Sequence, residues 1–422
     1  MYLYDRQLTG AERQWEDRSI TLRPSQRFFY SEEALRNPFS QFSYQFGEPA
    51  AAPKGLILLD HFHTPKHPRP FVPGSFVVEP PAKLDVKKMN PLFINSKDQI
   101  IADTSSSGLQ TCLHKLITTQ FQNYLAQSLN TAPAAGDRLR VALVDLTGAK
   151  ITKPDFAGWG ASVSMYGASV PKILPLYAAH QLRRDLRNLA VDQKITNGKK
   201  LEKTAIQNWK SSGIKRGFPD LVWLFDIRNW SGASDLDFSG KARNALNSIS
   251  ENCPAGGLIA RIGFPYIGSV TRQSGLHHPT RGGLWLRLSY CKKGSWSGNP
   301  LKGVHSHNVT ALSAATYFTL LAQGRLVDDA SSNEMKSSLL VGGCITGLFP
   351  DSLKPGLAGA KCGIYSKSHH LHDCALIVRD DVRYVVAGLT RTKPAEFSKY
   401  TQLFLELDKL IVRNNQTPKP SC

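Results

Sequence analysis

In the stretch GASVPKILPLYAAHQL, residues 167–182, Ser169 stands three places ahead of Lys172 where a helix reads as beginning. At that spacing the two side chains lie one above the other on a single helix face. A serine hydroxyl attacks an acyl carbon only when a base within hydrogen-bond reach takes its proton, and a neutral lysine amine is such a base. The plainer reading is a capping serine followed by a surface lysine, since serine is favoured at helix starts. Ser-x-x-Lys recurs at Ser212/Lys215 and Ser289/Lys292, but SSGIKRGFPD and SYCKKGSWSGNP are rich in turn residues and lead into no helix. Only Ser169 opens an apolar run, through Ile173, Leu176 and Tyr177, with Pro171 tolerated in a first turn that needs no intrahelical N–H partner.

Two further patterns follow in order. LNSISENCPAGGLIARIG holds Ser250-Glu251-Asn252 between two helical segments, with Pro254 starting the second, and GAKCGIYSKSHHLHDCALIV holds Lys361-Cys362-Gly363 at the start of a strand. Each is common alone: Ser-x-Asn also occurs at Ser297, Ser306 and Ser331, and Lys-x-Gly at Lys215, Lys292 and Lys354. Their order and setting carry the weight.

The rest of the chain supplies that setting. Leu109, Leu113, Leu116, Ile117, Phe121, Tyr124 and Leu125 recur at helical spacing, RVALVDLTG follows as a strand, and a second strand is expected in FAGWGASVSMY. Residues 183–340 read as helices with long loops, among them NVTALSAATYFTLLAQG, with Thr310 or Asn308 as its cap and Gly324 beyond its end. CALIVRDDVRYVVAGLT reads as two strands joined at Asp380-Asp381. PAEFSKYTQLFLELDKLIV is an amphipathic helix with Phe397, Tyr400, Leu403, Phe404, Leu407, Leu410 and Ile411 on one face. The expected fold class is α+β: an antiparallel sheet flanked by N- and C-terminal helices, with an all-helical insert. Expected boundaries are an irregular N-terminal extension over 1–105, a sheet subdomain over 106–165 and 343–413, and a helical subdomain over 166–342.

From about residue 107 to 413 the chain resembles the serine β-lactamase and penicillin-binding protein superfamily, class A β-lactamases in particular. Their signature set is S-x-x-K, S-D-N and K-T-G. The resemblance implies a serine hydrolase or acyltransferase working through an acyl-Ser169 intermediate, without cofactor. Lys172 would be the base, held neutral by burial and by the nearby charge of Lys361. Ser250, bonded to Lys361, would relay a proton to the leaving group, and Asn252 would position substrate and Lys172. Cys362 and Gly363 would line the substrate site, and the N–H groups of Ser169 and Ile364 would form the oxyanion hole.

Three departures qualify that implication. Cys362 replaces the usual Thr or Ser, so a weak thiol donor stands where a hydroxyl helps bind a substrate carboxylate. Glu251 replaces Asp, a mild change. Class A enzymes activate the deacylating water with a glutamate between the second and third motifs, yet residues 252–327 contain no Asp or Glu and eight Lys or Arg. Inefficient class A-type deacylation is therefore expected, on a β-lactam or peptide-like amide or ester.

The 422 residues carry a net charge of +19, which favours an anionic small-molecule or peptide-like substrate, although a basic surface also serves solubility alone. The first residues show no secretory signal and no apolar run reaches the length of a membrane span, so cytoplasmic residence is the default, whereas the family commonly works outside the cytoplasm. Seven cysteines, an odd number without CxxC spacing, argue against a disulfide framework and a zinc site. HHLHDC (His369, His370, His372, Cys374) is read as a solvated loop rather than a metal site, and no metal is expected. Cys362 ranks below Ser169 as a nucleophile. The lysine-rich Lys194–Arg216 segment lacks an apolar stripe and reads as a solvated face, so a nucleic-acid partner is not expected. The rival from another class is a non-catalytic binding or scaffold protein on the same fold.

Overall fold

The computed structural model describes residues 2–4, 27–31, 44–47, 56–60, 108–121, 139–152, 154–211, 219–232, 236–278, 282–287, 290–291, 307–379 and 382–416. Among the described residues of the N-terminal part, β1 (Tyr2–Tyr4), β2 (Arg27–Ser31), β3 (Tyr44–Gly47) and β4 (Leu56–Asp60) form an antiparallel sheet of order β1-β4-β2-β3. The expected irregular extension is thus corrected in part: FFYS and LILLD are strand-forming runs that proline-rich neighbours conceal.

Thereafter the chain runs α1 (Gly108–Gln120), β5 (Leu139–Asp145), β6 (Asp155–Trp159), β7 (Met165–Tyr166), a 3-10 turn (Val170–Lys172) and α2 (Ile173–Asp192). Next come α3 (Gly198–Ser211), α4 (Gly240–Asn247), α5 (Asn252–Ile262) and α6 (Phe264–Gln273). The last part is β8 (Asn308–Val309), α7 (Ala311–Ala322), α8 (Asp329–Val341), β9 (Leu357–Tyr365), β10 (His370–Arg379), β11 (Val382–Arg391) and α9 (Phe397–Gln416). Two compact units result: one of Met1–Ala82, Leu174–Thr280 and Trp285–His307, the other of Lys83–Ile173, Arg281–Leu284 and Asn308–Cys422.

The second unit is built on a five-stranded antiparallel sheet of order β9-β10-β11-β5-β6, the α+β arrangement expected. Period-two alternation sends Val141, Leu143, Ala375, Ile377, Tyr384 and Val386 into a core with Leu113 and Ile117 of α1 and Leu403, Phe404, Leu407 and Ile411 of α9. The alternate residues Ala142, Val144, Val385 and Ala387 are buried too, so the second face needs cover, and α7, buried on every side, packs on β5, β10 and β11. Thr310 begins α7 with a capping box, its hydroxyl accepting from Ser313 N at 3.0 Å. Phe397 departs from its expected place: at the first turn of α9 it is 37% exposed.

The first unit's helices bury Leu176, Tyr177, Leu182 and Leu186 of α2 with Leu258 and Ile259 of α5. A polar set lies among them: Gln181 donates to Asp185 at 2.9 Å, and Tyr266 also donates to Asp185. The expectation of a helix face without apolar residues fails in α3, where Leu201 and Ala205, spaced i,i+4, are fully buried.

Cysteine usage is the clearest correction. Cys253 is bonded to Cys291 and Cys344 to Cys362, and Cys112 is also disulfide-bonded. Partners 38 and 18 residues apart meet only through packing, so neither spacing nor parity of the count could reveal them. Cys374 is buried as a free thiol.

Candidate active site

Ser169 sits between two constraints. Ala168 before it has φ +44, a left-handed conformation that costs an L-residue about 1–2 kcal/mol. After it, the 3-10 turn Val170–Lys172 leads into α2, so the Ser169 N–H lies at a helix start, where early N–H groups have no intrahelical acceptor. Its hydroxyl makes no capping bond, although Ser169 occupies the cap position. Lys172, far from being a surface lysine, is 0% exposed.

The third motif runs along β9, the edge strand of the sheet. Lys361 is fully buried, its amine donating to Cys362 O at 2.7 Å and lying 2.9 Å from Cys344 Sγ. Burial, and then electrostatic coupling to the neighbouring Lys172 amine, bring the Lys361 amine down to about 7. Cys362, expected as a weak thiol donor or a secondary nucleophile, is corrected: its sulfur is bonded to Cys344, so it has neither an S–H to donate nor a thiolate to attack.

Backbone direction follows from that bridge. Cys362 N donates to Cys344 Sγ at 3.1 Å and therefore points away from β10, to the outer edge of the sheet. A Cβ on Gly343 would fall 2.4 Å from Ala360 O, so the segment after α8 covers the edge as far as Cys362. By the two-residue period, Ile364 N–H is the next to face outward, and Ile364 is 54% exposed.

Gly363 brings strand and serine turn together. A Cβ there would lie 2.9 Å from Gly167 O, 3.0 Å from Val170 Cγ2 and 3.1 Å from His372 Cδ2, a close approach that only glycine allows. Ser169, Lys172, Lys361, Cys362, Gly363 and Ile364 thus all belong to the sheet-bearing unit, within two contacting segments. Ser250 and Asn252 belong to the other unit: Ser250 is half-buried in the turn after α4, and Asn252, exposed, begins α5 with Glu251 as its cap residue. The expected interhelical setting of the second motif is what is found, with Pro254 inside the first turn of α5.

Several site neighbours escape sequence reasoning. HHLHDC is not a loop: His369 makes the turn at φ +58, and His370 starts β10. His372, 0% exposed, has Nε2 2.8 Å from Tyr166 O and Nδ1 3.2 Å from Thr390 N. On the other face of β10, the buried Asp373 carboxylate accepts from Thr346 N at 2.8 Å and from Tyr400 OH at 2.7 Å. Burial outweighs these bonds and raises it to about 7. The sequence signal for both was their period-two place in an apolar strand, which buries a polar residue whichever way it faces. Among the described residues no group of three His, Cys, Asp or Glu is placed to hold a metal ion, and no helix is long and apolar enough to cross a membrane.

Residues 117–412 match the Beta-lactamase enzyme family. Solved structures of similar fold include an ancestral class A β-lactamase at 19% identity, covering 69% of this chain and 99% of that one with a TM-score of 0.40. The β-lactamase of Sphaerobacter thermophilus, at 16% identity, covers 70% of this chain and 98% of its own with a TM-score of 0.39. No curated protein matches the chain.

Proposed function

Because this chain belongs to the β-lactamase enzyme family, we propose that it is a serine hydrolase acting on an amide or ester through an acyl-Ser169 intermediate. The observation that carries the proposal is the pairing of an uncapped Ser169 hydroxyl at a helix start with a fully buried lysine one turn on. In this reading Lys172 takes the Ser169 proton as the oxygen attacks the acyl carbon. The developing oxyanion is met by two N–H groups, that of Ser169 at the helix start and that of Ile364 at the sheet edge. Ser250 passes the proton to the leaving group and Asn252 orients substrate. Lys361, brought down to about 7 by burial, meets the substrate's anionic end.

The second half of the cycle is the slow one. Residues 252–327 offer no carboxylate to activate a deacylating water, while their eight basic residues favour an anionic β-lactam or peptide-like substrate. The disulfides support work in an oxidising compartment, where such bridges persist. The test is intact-protein mass spectrometry after incubation with a fluorescent penicillin and, separately, a fluorophosphonate. A long-lived adduct on Ser169, lost in Ser169→Ala, is the expected result. No adduct from either probe on folded protein would leave a non-catalytic binding protein instead.

A further inference from the structure

We infer that His372 is a positioning residue for the Ser169 turn, tying the backbone just ahead of the serine to the sheet through a fixed neutral tautomer. The inference rests on the proposed role of Ser169 but stands on its own geometry. Thr390 N can only donate, so His372 Nδ1, 3.2 Å away, is the unprotonated nitrogen. Tyr166 O can only accept, so Nε2, 2.8 Å away, carries the hydrogen. One ring thus joins β11 to the residue three places before Ser169, and both nitrogens are committed, which leaves none for a metal.

Such a tether has work to do. Between Tyr166 and Ser169 lie only Gly167 and Ala168, the latter at φ +44, a conformation that persists only when its surroundings enforce it. The strand pairing there is short: β7 has two residues, Met165 and Tyr166, opposite Val309 and Asn308. Val170 N donates to Gly167 O at 2.9 Å, and that same oxygen faces the open position left by Gly363, with His372 Cδ2 beside it. Ring, motif glycine and serine turn form one stack. Burial, the largest influence, lowers His372 to about 4, so the tautomer is constant through neutral pH.

Two substitutions separate the bonds. His372→Gln carries an amide N–H at the reach of Nε2 and keeps the bond to Tyr166 O. His372→Asn carries an acceptor at the reach of Nδ1 and keeps Thr390 while releasing Tyr166. With the penicillin probe, the binding constant, the acylation rate constant and the reactive fraction are measured separately by mass spectrometry. His372→Asn is expected to lower the acylation rate constant by roughly tenfold to a hundredfold, the usual cost of a displacement of about 1 Å. The binding constant and reactive fraction should stay near wild type, and His372→Gln within about threefold of it. A merely structural role would reduce the reactive fraction of both variants alike. Amide exchange over residues 165–172 is the readout independent of activity, faster in His372→Asn than in His372→Gln. Should His372→Asn not fold, His372→Met, which also lacks a donor, replaces it. Equal exchange in both variants, or His372→Gln acylating as slowly as His372→Asn, overturns the tether. Wild type that takes up no probe overturns the proposed function instead, and amide exchange then decides the tether alone.

Discussion

Replacing the Cys344–Cys362 bridge by Cys344→Ala with Cys362→Thr restores a hydroxyl to the third motif and removes one cross-link. The two cysteines are 18 residues apart, and the closed segment runs from the turn after α8 through a 3-10 helix (Asp351–Gly356) into β9 as far as Cys362. Chain-entropy reasoning for a loop of that length gives about 3 kcal/mol of stability lost with the bridge. For a unit of this size each kcal/mol moves the midpoint by about 2–4 °C, so the variant should melt roughly 6–12 °C below wild type. Cys362 lies on the edge strand, where Cys344 Sγ also accepts the Cys362 N–H at 3.1 Å, so loss of the sulfur removes that partner as well. The assay is calorimetry without reductant, which leaves Cys253–Cys291 intact in both proteins. Reductant should then lower the wild-type midpoint further than that of the variant. A variant melting within about 2 °C of wild type would refute the entropic account, because the turn 342–346 would then hold its place without the bridge.

Lys361 and Asp373 give a signed pH dependence. Lys361, lowered from 10.5 to about 7 by burial and then by Lys172, binds its proton more weakly folded than unfolded, so this group makes stability rise between pH 7 and 10.5. Asp373, raised from 3.8 to about 7 by burial, binds its proton more tightly when folded, so stability falls as pH climbs from 3.8 to 7. Urea midpoints against pH should therefore dip near neutrality, with Lys361→Met flattening the alkaline limb and Asp373→Asn the acid limb; unchanged limbs in both variants contradict the assignment. Gly363→Ala places a methyl 2.9 Å from Gly167 O and should slow acylation by about tenfold or more while the sheet stays folded, read by probe kinetics and circular dichroism. Adducts on Ser169 should outlast those on enzymes with a deacylating carboxylate; release within seconds, followed by mass spectrometry, would disprove the slow second step.

What the sequence disclosed divides along a physical line. Helix starts, strand alternation and hairpins are local: Thr310 capping α7, the period-two runs of β10 and β11 and the amphipathic stripe of α9 needed only neighbours within a few residues. The setting of Ser169 was legible for the same reason, since Pro171 and the apolar run after it mark a helix start wherever the chain lies. Cys344–Cys362 and His372 to Tyr166 span 18 and 206 positions, and both depend on which edge of β9 is covered and which element crosses β10. Those are properties of packing, to which the residue types alone are blind. The cysteine in the third motif therefore looked like a weak hydroxyl substitute, whereas its sulfur is bonded to Cys344 at the sheet edge. His372, one of the HHLHDC residues read as a solvated loop, is instead buried and neutral, with two backbone groups on its ring nitrogens. Both departures fall around the serine turn, where Ala168 holds a conformation its own sequence disfavours, and a turn under that constraint needs long-range partners that no local pattern can announce.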